Sequence, residues 1–104
     1  MTYSINWYER AVEIIFSGNL IMQDIDNANY AVNSDERFDQ CKRSVWDFRN
    51  CKTEMIKASD LYSAIALDVG ASTLPGLGSH QRALIANDPH TIRLCESYMR
   101  EMKN

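Results

Sequence analysis

The stretch "VEIIFSGNLIMQDI", residues 12–25, contains the change of pattern that decides the fold. Its first half alternates apolar side chains with others, the period of a half-buried strand, and predicts a β-strand over residues 11–17. Gly18 and Asn19 end that strand. Over residues 21–32 the apolar side chains recur every three or four positions, which predicts an amphipathic helix. A strand reached through such a helix is expected to lie parallel to the strand before it.

Three further strands are predicted on either side of this unit. Residues 3–7 also alternate, and they are close enough to the strand at 11–17 to pair with it as an antiparallel hairpin. Residues 44–48, "SVWDF", predict a short third strand parallel to the second. Residues 82–86, "RALIA", form a compact apolar run between turn residues, which is typical of a buried central strand.

Two more helices are predicted from their first residues and their apolar spacing. Ser59 is a favourable N-cap residue, and the pattern after it predicts a helix that ends near Val69. Asp88 and Pro89 supply the N-cap and the first position of a final helix. The expected buried stripe of that helix consists of Ile92, Cys95, Tyr98, Met99 and Met102.

The predicted order of elements is therefore β-β-α-β-α-β-α. Right-handed crossovers would fold it into an α/β domain with a four-stranded, mostly parallel mixed sheet flanked by helices. Residues 73–80 are expected to form a loop, and the pattern leaves open whether residues 36–41 extend the first helix. With 104 residues, the chain fits a single domain, 1–104.

Composition and charge narrow the classes of partner. The chain is 45% hydrophobic and 24% charged, with a formal net charge of -3, close to an average soluble domain. Its one concentration of basic residues, from Lys42 to Lys57, is interrupted by Asp47 and Glu54, so we expect no nucleic-acid binding. No apolar run approaches the ~20 residues of a membrane span, and the N-terminus lacks the pattern of a signal peptide. We therefore expect a cytoplasmic protein with no membrane span.

The cysteines give no indication of a metal or cofactor. Cys41, Cys51 and Cys95 are odd in number and form no C-x-x-C pair, so we expect neither a disulfide framework nor a zinc site, and no cofactor. Cys51 could be a nucleophile with His80 or His90 as its base. We favour a small buried thiol instead, because nothing in the sequence fixes a base or an oxyanion site. His90 is expected at the surface.

Polar residues cluster where the third strand ends. Asp47, Arg49 and Asn50 lie at the carboxyl end of a parallel strand, where open α/β sheets tend to bind ligands. Alternatively, Asp47 and Arg49 form an ordinary pair on one strand face. Ser59 and Asp60 suit a helix N-terminus without any binding role, since serine caps the helix and an acid is favoured in its first turn.

With these elements placed, the chain resembles the STAS family, the SpoIIAA-like fold of anti-sigma-factor antagonists, in its divergent bacterial branch. The resemblance covers nearly the whole chain and rests on "VEIIFSGNLIMQDI" at 12–25, "SVWDFRNC" at 44–51 and "SDLYSAIALD" at 59–68. In that family, a serine at the start of the helix after the third strand can be phosphorylated by a partner kinase, which breaks the complex with that partner. Ser59 is the matching position, although Ala58 and Asp60 flank it in place of the usual Asp-Ser-Ser-Gly type sequence.

The resemblance implies a non-enzymatic regulatory module that binds another protein. The expected binding surface consists of Asp47, Arg49, Asn50, Ser59, Asp60 and Tyr62. The alternative is a small apolar ligand or lipid held between helix and sheet, for which a cavity lined by Trp46, Phe48 and Leu67 would be evidence. The oligomeric state is open, and a homodimer would be one way to cover an exposed edge strand or helix face.

Overall fold

The computed structural model describes residues 2–61 and 80–102 of the chain. Over these residues it contains four strands, two α-helices and two short 3₁₀ turns. In chain order they are β1 (Tyr3–Tyr8), β2 (Ala11–Asn19), α1 (Met22–Asn33), a first 3₁₀ turn (Glu36–Gln40), β3 (Arg43–Lys52), a second 3₁₀ turn (Ala58–Leu61), β4 (Gln81–Ile85) and α2 (Pro89–Met102).

The strands form one mixed sheet in the order β1-β2-β3-β4. β1 pairs with β2 antiparallel, whereas β2, β3 and β4 are mutually parallel. The predicted α/β class and four-stranded mixed sheet are therefore confirmed for the part of the chain that the structure describes. The predicted helix after Ser59 and the predicted loop at 73–80 lie almost entirely outside the described residues.

The hairpin between β1 and β2 also positions β3. Tyr8 pairs with Ala11, so the loop contains only Glu9 and Arg10, and Arg10 takes a left-handed φ of 63°. Two-residue hairpin loops need such positive φ values to match the twist of the strands. The carbonyl of Arg10 then accepts the N–H of Lys42 at 2.7 Å. The turn thus holds the start of β3 beside the start of β2.

β3 is twice as long as predicted because a β-bulge interrupts its alternation. Ile15 pairs with Asp47, but Ser17 pairs with Asn50, so one extra residue of β3 lies opposite β2. Before the bulge the even-numbered side chains of β3 are buried on the helix side. After it, that side receives the odd-numbered Cys51. A strict period of two fails across such a shift, so the predicted strand stops at residue 48, four residues before β3 ends.

Both helices pack on one face of the sheet, which we call the helix-facing side. The core combines side chains from β2 and β3 with Ala28 and Val32 of α1 and Leu94 of α2. At its centre, Phe16 stacks on Phe48 with ring centroids 4.7 Å apart. When successive parallel strands are added in one direction, right-handed crossovers place the connecting helices on the same side. The central strands β2 and β3 thus have a buried helix-facing side, whereas the side chains of β1 and β4 are half-buried or exposed.

β4 was predicted to be a buried central strand, and that prediction is wrong. It pairs with β3 alone among the described residues, at the end of the sheet, and its side chains are only half-buried or exposed. An apolar run identifies a strand without saying which neighbours it has. The position in the sheet depends on the crossovers, which periodicity does not report.

α2 begins as predicted, and Cys95 and Tyr98 of its predicted stripe pack against the core, but its most buried positions are shifted. The Asp88 carboxylate accepts the backbone N–H of Thr91 at 3.0 Å, and Pro89 is the first helical residue. The buried positions are Thr91 and Leu94, whereas Met99 of the predicted stripe is 37% exposed. The shift follows from the buried Thr91 hydroxyl, which lies 2.7 Å from the hydroxyl of Thr53. The polar side chain of Thr91 thus lies on the buried face of α2. The apolar spacing had predicted that this face begins one residue later, at Ile92.

Candidate functional site

Asp47 and Arg49 form a closed pair within β3. The Asp47 carboxylate accepts the backbone N–H of Arg49 at 3.0 Å and two guanidinium N–H groups at 3.0 and 2.8 Å. These hydrogen bonds from Arg49 lower the pKa of Asp47, against the opposing effect of burial. In the sheet, Asp47 lies between Ile15 and Ile85, on the face opposite the helices. This is the geometry of an ordinary pair on one strand, which was the alternative to a ligand site at Asp47 and Arg49.

The other members of the predicted surface fall into two separate groups. Asn50 is exposed beside the exposed Arg49 on β3. Ser59 is exposed inside the second 3₁₀ turn, which begins one residue before it. Asp60 closes that turn, because its carboxylate accepts the N–H of Lys57 at 2.9 Å. No hydrogen bond joins the two groups within residues 2–61 and 80–102, and Tyr62 lies outside the described residues.

The hydrogen bonds of Cys51 and His90 go to different backbone carbonyls. The Cys51 thiol donates to the carbonyl of Phe48 at 3.3 Å, and burial raises the pKa of that thiol to about 11. His90 is half-buried, and its Nε2 lies 3.0 Å from the carbonyl of Ile56. A thiol with a raised pKa is a poor nucleophile, and the geometry is that of a small buried side chain.

A buried pair that the sequence did not suggest joins His80 to Ser44. The Nε2 atom of His80 lies 2.9 Å from the Ser44 hydroxyl, and Nδ1 lies 3.2 Å from the carbonyl of Cys41. Because a carbonyl only accepts, Nδ1 is the donor to Cys41. Ser44 is 1% exposed and also accepts the indole N–H of Trp46 at 3.0 Å. A hydroxyl so enclosed is not accessible to a substrate.

An apolar cavity of about 70 Å³ lies between the helix-facing side of the sheet and the two helices. Trp46 and Phe48, named from the sequence as the wall of such a cavity, both line it, while Leu67 lies outside the described residues. The further apolar side chains in its wall are Ile25, Ile56, Leu61, Leu84, Leu94 and Cys95. The arrangement offers an apolar environment to a small ligand or to one end of a larger one.

Polar groups lie toward the two ends of this cavity. Thr53 and Thr91 line it where β3 ends and α2 begins. Arg82 lines it at the start of β4, where Nη1 donates to the hydroxyl of Tyr98 at 2.6 Å. Thr91 and Tyr98 are seven residues apart on α2, about 10 Å along a helix with a rise of ~1.5 Å per residue. The cavity therefore extends along α2 from Thr91 to Tyr98.

Arg82 is the site residue that the sequence reasoning overlooked. It was included in the run "RALIA" as part of a buried strand, with no role of its own. A cation at the start of an otherwise apolar strand was the available indication, because charged side chains are rarely buried without a specific interaction.

Comparison with known proteins found no match: no family model, no curated protein and no solved structure is significantly similar to the chain. Among the described residues, no helix is long and apolar enough to cross a membrane. Within the same residues, no three His, Cys, Asp or Glu side chains are grouped as metal ligands.

Proposed function

We propose that this chain is a non-enzymatic binding module that holds a small apolar ligand between its sheet and its helices. The observation that carries the proposal is the cavity of about 70 Å³, whose wall combines Trp46 and Phe48 of β3 with apolar residues from both helices. Protein interiors are normally packed without such spaces. A partly open apolar space of this size, between the sheet and the helices, favours a ligand as its occupant.

The volume of the cavity limits the size of the group that it can hold. An engineered cavity of roughly 150 Å³ holds benzene, so a cavity of about 70 Å³ accommodates about half as much. A short aliphatic group of a few carbons fits this space, alone or as the end of a longer molecule. Transfer of that group from water is favourable by about 0.8 kcal/mol for each buried CH₂.

The test is a titration with 1-pentanol followed by two-dimensional NMR. We expect saturable shifts concentrated on cavity residues such as Leu84, Leu94 and Ile56. Leu84→Phe should fill the space and weaken binding at least about tenfold, because an added ring removes the room for the ligand.

Ile85→Phe is the matched control, since Ile85 follows Leu84 on β4 but lies on the opposite face of the sheet. It should leave the titration unchanged. Shifts scattered over the surface, or equal binding by wild type and Leu84→Phe, would reject the cavity as the binding site.

A second candidate function is the STAS-like module that binds another protein through the end of β3. Arg49 favours it, because the carboxylate of Asp47 holds its guanidinium in one position while 55% of the side chain stays exposed. Exposed and fixed side chains lose little entropy when a partner binds. The resemblance to STAS domains supports the same surface, with Ser59 as the modified residue.

Affinity isolation from the native cell type tests this second function. Wild-type protein should recover a partner that Arg49→Glu and Ser59→Asp both lose. Arg37→Glu is the matched control, because Arg37 forms an equivalent pair with Asp35 at a different place. Unchanged recovery by Arg49→Glu and Ser59→Asp would exclude the surface.

A further inference from the structure

We infer that β1 is a dimerisation edge, at which two copies of the chain join their β1 strands antiparallel and form one sheet continuous across both copies. β1 lies at the end of the described sheet, and β2 is its only neighbour there. The inference goes beyond the proposed function and is independent of it, because no residue of β1 belongs to the described wall of the cavity.

The hydrogen bonds of the hairpin determine which backbone groups of β1 point away from β2. Ser17 donates its N–H to the carbonyl of Thr2 at 2.8 Å, and the register between the two strands continues without a shift. In an antiparallel pair, the backbone groups of successive residues point alternately toward and away from the neighbouring strand. The even-numbered residues of β1 therefore bond to β2. The N–H and C=O groups that point to the free side belong to Tyr3, Ile5 and Trp7.

The composition of β1 is that of an edge open to a further strand. Its six residues, "YSINWY", include no charged side chain and no proline, and its pairing with β2 contains no bulge. Natural edge strands are commonly protected by lysine, by proline or by a bulge. Tyrosine, isoleucine and tryptophan also favour extended structure. The sequence of β1 therefore favours the addition of a strand at its free side.

A two-fold axis at Ile5 pairs the whole of β1 with its copy. Tyr3 then lies opposite Trp7 of the partner and Ile5 opposite its own copy, and each such pair exchanges two backbone hydrogen bonds. These side chains share the helix-facing side, where cross-strand aromatic pairs are favourable. On the other face, Ser4 lies opposite Asn6 of the partner. A shift of the register by two residues would leave either Tyr3 or Trp7 without a partner in β1.

Arg37, which lies close to this edge, does not oppose the pairing. Its guanidinium lies 4.7 Å from the centroid of the Trp7 ring and is bound by Asp35 at 2.7 Å. The two copies of Trp7 are four residues apart along the paired strands, about 13 Å at ~3.3 Å per residue. Exposed charges are largely screened over such a distance at physiological salt. Two uncharged strands thus meet without repulsion, which favours a second copy over a charged segment of another protein.

Sedimentation equilibrium of the wild-type protein, from about 5 to about 500 μM, tests the dimer. An interface made mainly of one strand edge is small, so we expect a dissociation constant on the order of tens of micromolar. Amide hydrogen exchange measured by NMR locates the contact. The amides of Tyr3, Ile5 and Trp7 should exchange at least about twofold more slowly at about 500 μM than at about 50 μM, because only the dimer bonds them. The amides of Ser4 and Asn6 should exchange slowly at both concentrations.

Two double variants at exposed positions test the register. Ser4→Lys with Asn6→Lys places lysine opposite lysine twice in the dimer, and we expect at least about tenfold weaker association. Ser4→Glu with Asn6→Lys is the matched control, because it places glutamate opposite lysine at the same points. The control should keep the dissociation constant within about threefold of wild type. Asn6→Lys retains a donor beside Glu13, whose carboxylate now accepts from Asn6 at 3.2 Å.

Ile5→Pro tests the backbone hydrogen bonds directly. It removes an N–H that points to the free side, a position at which edge strands tolerate proline. We expect at least about tenfold weaker association, with thermal unfolding as the check that the variant is folded. If Ile5→Pro does not fold, the comparison of the two double variants decides.

The outcomes that would overturn the inference are distinct. A wild-type protein that stays monomeric throughout the concentration range would exclude a second copy as the occupant. In that monomer, slow exchange of the Ile5 amide would show that the chain covers its own edge, and fast exchange would leave the edge to a strand of another protein. Equal association of the two double variants would place the interface elsewhere. None of these results changes the expected binding of 1-pentanol in the cavity.

Discussion

At the scale of single residues, the chain uses one device twice, an aspartate that binds the arginine two positions later. Asp35 and Asp47 each accept the backbone N–H and two guanidinium N–H groups of Arg37 and Arg49, at 2.7 to 3.0 Å. The two pairs differ in environment, because the side chain of Asp35 is 23% exposed and that of Asp47 only 6%. The same local geometry therefore has different consequences for stability.

Asp47→Asn should destabilise the protein at pH 7 by about 1 to 2 kcal/mol, since it removes a charge-assisted bond to a buried acceptor. Folding lowers the pKa of Asp47, so the stabilising effect is present above the unfolded pKa of about 3.9 and is lost as pH falls through the folded pKa. Urea unfolding at pH 7 and at pH 3 measures it, and the difference between wild type and variant should shrink at pH 3. Asp39→Asn, at an exposed position, is the control. A difference that grows at low pH would contradict this assignment.

The exposed pair of Asp35 and Arg37 is better tested by a pH titration than by a measurement of unfolding. Hydrogen bonds from Arg37 lower the pKa of Asp35 to about 2. Arg37→Ala should return that pKa toward the usual 3.9 or so, as followed by the carboxyl ¹³C signal in NMR. Arg93→Ala should not move it. A low pKa that persists in Arg37→Ala would mean that another group stabilises the carboxylate.

At the scale of elements, the ends of strands and helices connect parts of the sequence that are far apart. The N-cap of α2 is the clearest case, because Asp88 accepts both the N–H and the hydroxyl of Thr91, and that hydroxyl also meets Thr53 beyond β3. The cap of one helix is thus joined to the end of a strand 38 residues earlier. Local capping chemistry predicted the first contact, while the second requires the folded sheet.

Asp88→Ala should cost about 1 kcal/mol of unfolding free energy, the usual effect of removing an N-cap. Thermal or urea unfolding measures it. Asn87→Ala, one residue earlier and exposed, should change stability by less than about 0.5 kcal/mol. Equal effects of the two substitutions would show that the cap contributes nothing.

At the scale of the whole molecule, the sheet has two unlike faces. The helix-facing side contains Val12, Ile14 and Phe16 of β2, each at most 1% exposed. The opposite face carries Ile15 and Glu13 of the same strand, which are only half-buried. In the described part of the chain, both α-helices cover the first face, and the cavity lies under them. Stability and the proposed ligand binding therefore depend on the same side of the sheet.

Adjacent residues of β2 provide the test. Ile14→Ala should lower the free energy of unfolding by about 3 kcal/mol, as expected for a fully buried side chain. Ile15→Ala should lower it by about 1 kcal/mol. Urea unfolding of both variants, with equal m-values, gives the comparison. Equal costs would show that the second face is covered as completely as the first.

The sequence was sufficient to predict the secondary-structure elements whose signals come from residues close together in the chain. Alternation gave the hairpin of β1 and β2, the change of period at 12–25 gave α1, and Asp88 with Pro89 gave the start of α2. These features depend on contacts within a few residues, where periodicity and capping are reliable guides.

The features that depend on strand neighbours and on the packing of helices could be seen only in the tertiary structure. The bulge lengthened β3, because register is set against β2 and not within β3. The crossovers placed β4 at the end of the sheet and brought Arg82 to the cavity beside Tyr98. A cavity is the space left between elements that are distant in sequence. Its volume and its lining arise from their three-dimensional packing, which no single stretch of the sequence specifies.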